Sequence, residues 1–300
     1  MPKNILVVNY SQSGQLQDIV KNIAEPLSQN PDYSVDFYQI QPKEDFPFPW
    51  PEDVFYNTFP ESYLQIPREI LPPSQEILSK KYDLILFGYQ VWFLTPSIPT
   101  ISFLKSPFAE KLLKNTPVVT ISATRNMWML SHDKLKAHLQ RLGAKLVGNI
   151  ALVDRHDNYT SVITILNWMS TGQKEQKPPL PKAGVSDREI AEAGKFGEVI
   201  KPFLDRGNYS GLQEKLLQKG AVEVRPFLVK VEEVGNKLFT FFSRRIKKNP
   251  AQRKFWVKLF KIYLMTAIWV ISPIVLIFYN LTTPFFRKER QKKIQYYKGI

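Results

Sequence analysis

Three hundred residues with 44% hydrophobic content are enough for one large domain and an appendage. The absence of cysteine excludes disulfides, thiolate nucleophiles, iron–sulfur clusters and cysteine-ligated zinc. The only three histidines, His132, His138 and His156, lack the spacing of a helical metal pair, so no metal site is expected. The net charge of +14 is confined to the last third: residues 1–200 carry 20 Lys/Arg and 21 Asp/Glu, whereas residues 201–300 carry 21 and 6. A basic tract beside apolar sequence suits an anionic membrane surface. Nucleic acid is the rival partner, but no helix-turn-helix, zinc or RNP-type motif accompanies the charge, so none is expected. Met1-Pro2-Lys3 leads straight into an apolar run rather than a signal peptide, which puts the catalytic part on the cytoplasmic side.

Ile5-Leu6-Val7-Val8 is a short continuous apolar run, the pattern of a strand buried on both faces. Tyr10-Ser11-Gln12-Ser13-Gly14-Gln15 follows, and then Leu16, Ile19, Val20, Ile23 and Leu27 at helical spacing. Strand, glycine turn and helix open a βαβ unit. Further strands are predicted at Val35–Ile40, Leu84–Gly88, Pro117–Ile121 and Lys145–Leu152. A helix carrying Leu135, Leu139 and Leu142 precedes the last of them, and His132 and His138 read as surface positions on it. The run from Phe46 to Tyr63 reads as a long aromatic loop, either a wall of an apolar substrate pocket or a packed Ω-type loop. Ser186-Asp187-Arg188-Glu189 is a capping box, opening one helix with Ile190, Ala193, Phe196, Ile200 and Leu204 that ends near Gly207. Residues 154–184, ending in a proline-rich stretch, read as an insertion between the last strand and this helix.

The expected architecture is therefore α/β, a doubly wound five-stranded parallel sheet over residues 1–207, followed by a helical, hydrophobic, basic extension over 208–300. Residues 262–286 carry no charge and are long enough to cross a bilayer, with Lys/Arg clusters on both flanks and Pro273 near the middle. Positive flanks on both sides favour a re-entrant or in-plane helix pair broken at Pro273 over a simple span. The alternative is a helix buried in an oligomer interface, such as that of a homodimer.

Three segments carry a resemblance to the flavodoxin-like superfamily, over about residues 3–206. They are the hydroxyl-rich Tyr10–Gln15 loop, the stretch Gly88-Tyr89-Gln90-Val91-Trp92-Phe93-Leu94-Thr95-Pro96-Ser97-Ile98-Pro99, and Leu142-Gly143-Ala144-Lys145-Leu146-Val147-Gly148. The sequence looks closer to flavodoxin-like FMN oxidoreductases than to small electron carriers. The resemblance implies FMN, held by Ser11, Gln12, Ser13, Gly14 and Gln15 at the phosphate and by Gln90, Val91, Trp92, Phe93, Thr124, Arg125, Asn126 and Trp128 around the ring. Leu16 stands where the family usually has a Thr, so one donor is missing unless Gln15 compensates. Asp45-Phe46-Pro47-Phe48-Pro49-Trp50 and the apolar extension also resemble the flavodoxin-like enzymes of dialkylresorcinol biosynthesis, which implies oxidation of a lipid-like cyclohexanedione.

His156, in the turn after the fifth strand, is the candidate proton shuttle, with a surface histidine as the bland alternative. The functional expectation is an FMN-dependent oxidoreductase working on a small apolar or lipid-like substrate at the cytoplasmic face of a membrane. An NAD(P)H-dependent quinone or flavin reductase and a membrane-tethered electron carrier remain alternatives.

Overall fold

The structure is a computed structural model that describes residues 2–300. Five parallel strands form one sheet: β1 (Lys3–Asn9), β2 (Tyr33–Gln39), β3 (Leu84–Tyr89), β4 (Pro117–Thr124) and β5 (Lys145–Val153), in the order 2-1-3-4-5. All four pairings are parallel. The central strands β1 and β3 are apolar throughout their middles because helices cover both sheet faces, leaving no side for water. This order, with its switch point between β1 and β3, is the flavodoxin-like arrangement.

Helix α1 (Gln15–Ser28) buries the face predicted from its spacing: Leu16, Ile19, Val20, Ile23 and Leu27. α2 (Glu52–Tyr63) occupies the second half of the segment read as a long aromatic loop, which corrects that reading. α3 (Met129–Arg141) carries Leu135 and Leu139 inward as expected, but His132 is not at the surface. It is buried against Tyr89 and Trp128, and burial pushes its pKa down to about 3, which keeps it neutral. His138 is half-buried and hydrogen-bonds Gln65 Oε1 at 2.8 Å.

The stretch 154–184 is also more ordered than a linker. It contains α4 (Asn158–Thr171), whose N-terminal N–H groups are accepted by Asp157 and whose C-cap is Gly172 at φ +76°. The capping box at Ser186 is present, with its Oγ accepting from Glu189 N at 3.2 Å. The helix it starts stops after Ala191, however, and a second, α5 (Gly194–Arg206), resumes. The interruption lies where Asn22 of α1 donates to the Ile190 carbonyl at 2.7 Å, a partner from outside the helix.

The extension is built onto the sheet. α6 (Leu212–Gln218) buries Leu212 and Leu216 in the same apolar cluster as α1 and α5. Gln213 accepts from Asn149 N at 2.7 Å, and Ala151 N donates to Ala221 O at 2.8 Å. The free edge of β5 is thereby covered, which removes a site for unwanted strand pairing. α7 (Pro226–Lys248) follows, then α8 (Arg253–Thr266), a π-helical segment Ala267–Ile271, α9 (Ser272–Leu281) and α10 (Thr283–Lys298).

Pro250–Leu281 is one helix long and apolar enough to cross a membrane, with 6% of its most apolar stretch buried. The chain does not break at Pro273, contrary to expectation. Pro273 lies in the first turn of α9, directly after the π-helical segment, where the widened i→i+5 pattern accommodates a residue lacking an N–H. The turn comes instead at Thr282, and α10 then folds back, Tyr296 and Tyr297 donating to Asp133 at 3.0 Å.

The closest α1–α5 approach is at Gly197, where an added Cβ would lie 2.1 Å from Ile23 O; at Gly194 the nearest atom is 3.4 Å away. Gly197→Ala is expected to lower unfolding free energy by about 1–3 kcal/mol in urea titrations, through forced helix displacement. Gly194→Ala should be close to neutral.

Candidate functional site

The loops after β1, β3 and β4 converge beyond the carboxyl ends of the strands, where ligands bind in open α/β sheets. The first is the turn into α1. Gly14 is at φ +87°, and an added Cβ there would meet open space. α1 has no side-chain cap, and Asp18 is the first residue whose N–H closes onto the helix, through Gly14 O. The preceding N–H groups point out of the helix start with its positive dipole end, a cradle for an anion. Ser11 Oγ is buried and without a partner.

Two glutamines of this turn have structural tasks. Gln12 donates to Pro47 O at 2.7 Å and accepts from Trp50 Nε1 at 3.0 Å, tying the aromatic segment over the turn. Gln15 exchanges two hydrogen bonds with the backbone of Val185, at 3.3 and 3.2 Å. Its amide is thus committed and does not replace the donor missing at Leu16. Leu16 itself is 1% exposed, so at that position an apolar core contact replaces the hydroxyl.

The second loop is a short hairpin, Val91–Trp92 against Thr95–Pro96. Its two turn residues, Phe93 and Leu94, have φ of 49° and 61°, the left-handed region that a type I′ turn requires and that Asn and Gly usually fill. Each such residue costs about 1 kcal/mol or more, so packing must hold it. Phe93 meets Phe55 at 4.7 Å and Phe59 at 5.3 Å, Leu94 is buried, and Lys134 donates to Leu94 O at 3.1 Å. Burial lowers the Lys134 pKa to about 8. Gln90 Oε1, at the start of this loop, has no partner.

The third loop brings Thr124 and Arg125. Thr124 Oγ1 is buried and unpaired. Arg125 donates from Nη1 to Asn158 O and Oδ1 at 3.2 and 2.9 Å, and its Nη2 meets Met127 Sδ at 3.3 Å. Burial pulls its pKa down to about 10, partly offset by Asp154, so it stays charged at neutral pH.

These loops enclose a cleft of about 280 Å³. Nine of the predicted residues lie on its wall: Gln12, Ser13, Gln15, Gln90, Val91, Trp92, Phe93, Thr124 and Arg125. Trp92 sits edge-on to Phe46 at 4.9 Å and to Trp50 at 5.3 Å, so its ring plane is fixed. Ser11 and Gly14 belong to the turn behind the wall. Three predicted residues are not on it. Trp128 is wholly buried, edge-on to Tyr297 at 6.2 Å, with its Nε1 donating to Glu223 O at 3.3 Å; it is a core aromatic that receives the extension. Asn126 is buried behind the loop and reaches Ser161 Oγ at 3.5 Å. His156 is held to the buried Asp154 carboxylate at 2.7 Å, outside the cleft, and Arg225 donates to its carbonyl at 3.0 Å. The turn after β5 is thus a joint to the extension, and His156 is not among the residues that line the cleft.

Sequence reading missed Trp168 and Met169 of α4, which line the cleft, Trp168 lying directly against Gly184. Their signal was the Asp157 and Gly172 caps around α4. Of the charged side chains described, Arg125 is the one on the cleft wall.

No protein-family model matches this chain, and no curated protein is similar to it. Solved structures do align. A flavoprotein from Lactobacillus acidophilus NCFM, solved in complex with FMN, is 19% identical over 50% of this chain and 93% of its own, with a TM-score of 0.38. A flavodoxin from the domain Archaea is 11% identical over 67% of this chain and 99% of its own, TM-score 0.38. Flavodoxin 1 from Bacillus cereus is 13% identical over 65% and 95%, TM-score 0.36. What they share with this chain is the fold, which the strand order establishes by itself.

The third loop is also anchored from behind. Glu232 of α7 accepts from Met129 N at 3.2 Å and Leu130 N at 2.6 Å, capping α3 directly after the loop. Burial outweighs those donors and raises its pKa to about 8. With the folded value above the unfolded one, its contribution is complete below about pH 4.5 and is lost as pH rises through about 8. Unfolding free energy measured across that window should therefore fall less steeply in Glu232→Gln than in the parent.

Proposed function

We propose that the cleft binds FMN and that the protein is a flavin-dependent oxidoreductase acting on an apolar, lipid-like substrate at a membrane surface. The observation that carries this reading is a set of buried polar atoms without partners, Ser11 Oγ, Gln90 Oε1 and Thr124 Oγ1, one on each converging loop. Unpaired buried polar atoms are costly, and Gln90 Oε1 and Thr124 Oγ1 on the cleft wall, with Ser11 Oγ in the turn behind it, suit a polar, planar ligand. The turn at Gly14 and the start of α1 suit the phosphate, with Ser11 and Ser13 as hydroxyl donors. Gln90, Thr124 and the backbone of the hairpin suit the polar edge of the ring, with Trp92 and Phe93 beside it. Support for the cofactor also comes from the Lactobacillus acidophilus relative in fold, which was solved with FMN.

When bound, FMN supplies a two-electron acceptor that takes hydride from a substrate carbon. The chain's own residues exclude water with Trp50, Trp92, Trp168 and Phe55, and offer the Arg125 guanidinium to an anionic or carbonyl oxygen. Among the described residues no carboxylate, lysine or histidine lines the cleft. A substrate whose proton is already acidic fits such a wall. A cyclohexane-1,3-dione meets that condition, since enolisation acidifies the ring hydrogens and loss of a hydride and a proton gives a resorcinol. Oxidative aromatisation of a dialkyl-cyclohexanedione is therefore the reaction we assign.

The helix Pro250–Leu281 supplies the location. Ile274, Ile277, Phe278 and Leu281 are exposed on its outer face, and basic residues flank it. Its N-terminal part is fixed to the body by Phe260 packed on Phe59, and the helix that follows it is fixed by Tyr297 in the core. That geometry favours a helix lying in the membrane interface over one that crosses.

The purified full chain should be yellow and release FMN on denaturation, and Gly14→Val should bind FMN at least tenfold more weakly, because a β-branched residue resists positive φ. A colourless protein that does not take up added FMN would overturn the assignment. Anaerobic bleaching by an alkylcyclohexane-1,3-dione, and not by NAD(P)H, is expected; bleaching by NAD(P)H alone would place the protein among the reductases. Asp at Ile277, Phe278 and Leu281 should cut sedimentation with anionic liposomes more than tenfold while leaving bound FMN unchanged.

A further inference from the structure

A second cavity, of about 300 Å³, lies directly behind the cleft. The two share wall residues, among them Phe93, Thr124, Arg125, Val162 and Ile268, so they are adjacent and meet at these side chains. The second cavity is otherwise almost wholly apolar. Leu228, Val231 and Phe239 of α7 line one side, and Tyr263, Leu264 and Val275 of the Pro250–Leu281 helix line the other. The π-helical segment passes along it: Ala267, Ile268 and Ile271 face the cavity, while Val270 and Ile274 are on the outer face, exposed. One helix thus separates the chamber from the surface that carries the exposed apolar side chains.

Arg125 stands at the junction. Its guanidinium makes no direct ion pair: Nη1 is used by Asn158, Nη2 meets only a thioether sulfur, and Nε has no acceptor among the described residues. A half-buried, charged group with donors to spare suits an anionic or strongly accepting oxygen. A polar anchor at the mouth of an apolar chamber fits an amphiphile.

We propose that this chamber is an alkyl-chain site: it holds the chain of a membrane-derived amphiphile whose acidic, oxygen-bearing head is fixed by Arg125 against the cofactor cleft. The proposal rests on the oxidoreductase reading above for the role of the cleft, but the chamber and its mouth are independent of the cofactor's identity. Arg125 acts as the head-binding residue. Val231, Val275 and Leu264 set the chain length that fits.

The test uses the full-length protein and a series of 5-alkylcyclohexane-1,3-diones, methyl to nonyl, with binding followed by quenching of tryptophan fluorescence. Affinity should rise about threefold to fourfold for each added methylene until the chamber is full. Val231→Trp and Val275→Trp, which narrow the chamber from opposite sides, should leave the methyl probe bound as before and abolish the gain from longer chains. Retention of the methyl probe shows that each variant is folded. Arg125→Gln should weaken every probe by the same factor, about tenfold, and leave the chain-length slope unchanged. A parental slope that survives in both tryptophan variants, or an Arg125→Gln loss that grows with chain length, would overturn the proposal. FMN content is read separately from released flavin. A preserved chain-length slope in a protein that never takes up FMN would leave the chamber standing and defeat the oxidoreductase reading. FMN uptake without any slope would do the reverse.

Discussion

The stack of Phe59 on Phe260, ring centroids 3.6 Å apart and 7° from parallel, joins the two parts of this protein. One ring belongs to α2, between β2 and β3; the other belongs to the apolar helix near the C-terminus. Parallel rings repel through their quadrupoles unless edges compensate, and here Phe239 presents its edge to both, at 5.2 and 5.3 Å. Phe93 completes the group. The cluster therefore holds the strained Phe93–Leu94 turn, orients Trp92 beside it, and fixes one end of the apolar helix. A hairpin that local preference disfavours is kept by side chains of α2 and α3 and, through Phe260, by the far end of the chain.

The extension enters the site by a second route. Glu232 caps α3 and Trp128 gives its indole N–H to Glu223, so the loop carrying Thr124 and Arg125 is held from the extension side. The covered β5 edge and the turn at Asp154 add further ties, including three backbone carbonyls bound by Arg225. Residues 208–300 are in this sense part of the site's framework. They add an exposed apolar surface and also fix the walls against which a ligand would sit.

Charge is distributed to match. The excess of Lys and Arg lies in the last third of the chain, whereas the cleft and the chamber behind it share a single charged wall residue. On the reading proposed above, the exposed cations would serve long-range attraction to an anionic surface. On the same reading the half-buried Arg125 guanidinium would serve short-range selection, because partial burial weakens screening of its interaction with an oxygen. The two roles are physically separate, and the apolar helix lies between them.

The flavodoxin-like sheet was legible in the sequence because each strand was a short apolar run and α1 showed a clean 3.6-residue period; local patterning decides such elements. The glycine turn after β1 was legible for the same reason, since a glycine between strand and helix is a local requirement. The wall of the cleft was legible only in part. Trp92 and Trp128 look alike in sequence, and packing alone sent one to the cleft and the other to the core. His132 read as a surface residue, and its burial rests on Tyr89 and Trp128 packing against it; His156 read as a candidate proton shuttle or a surface histidine, and its turn is tied to Asp154 and Arg225 outside the cleft wall. Tertiary structure also placed the helix break at Thr282 rather than Pro273, because a π-helical turn absorbs the missing donor. The sequence by itself determined the sheet, the turn and the basic, apolar character of the tail. What only the tertiary structure decided was the cleft's membership and the chamber behind it, since both depend on which distant side chains compete for the same buried space.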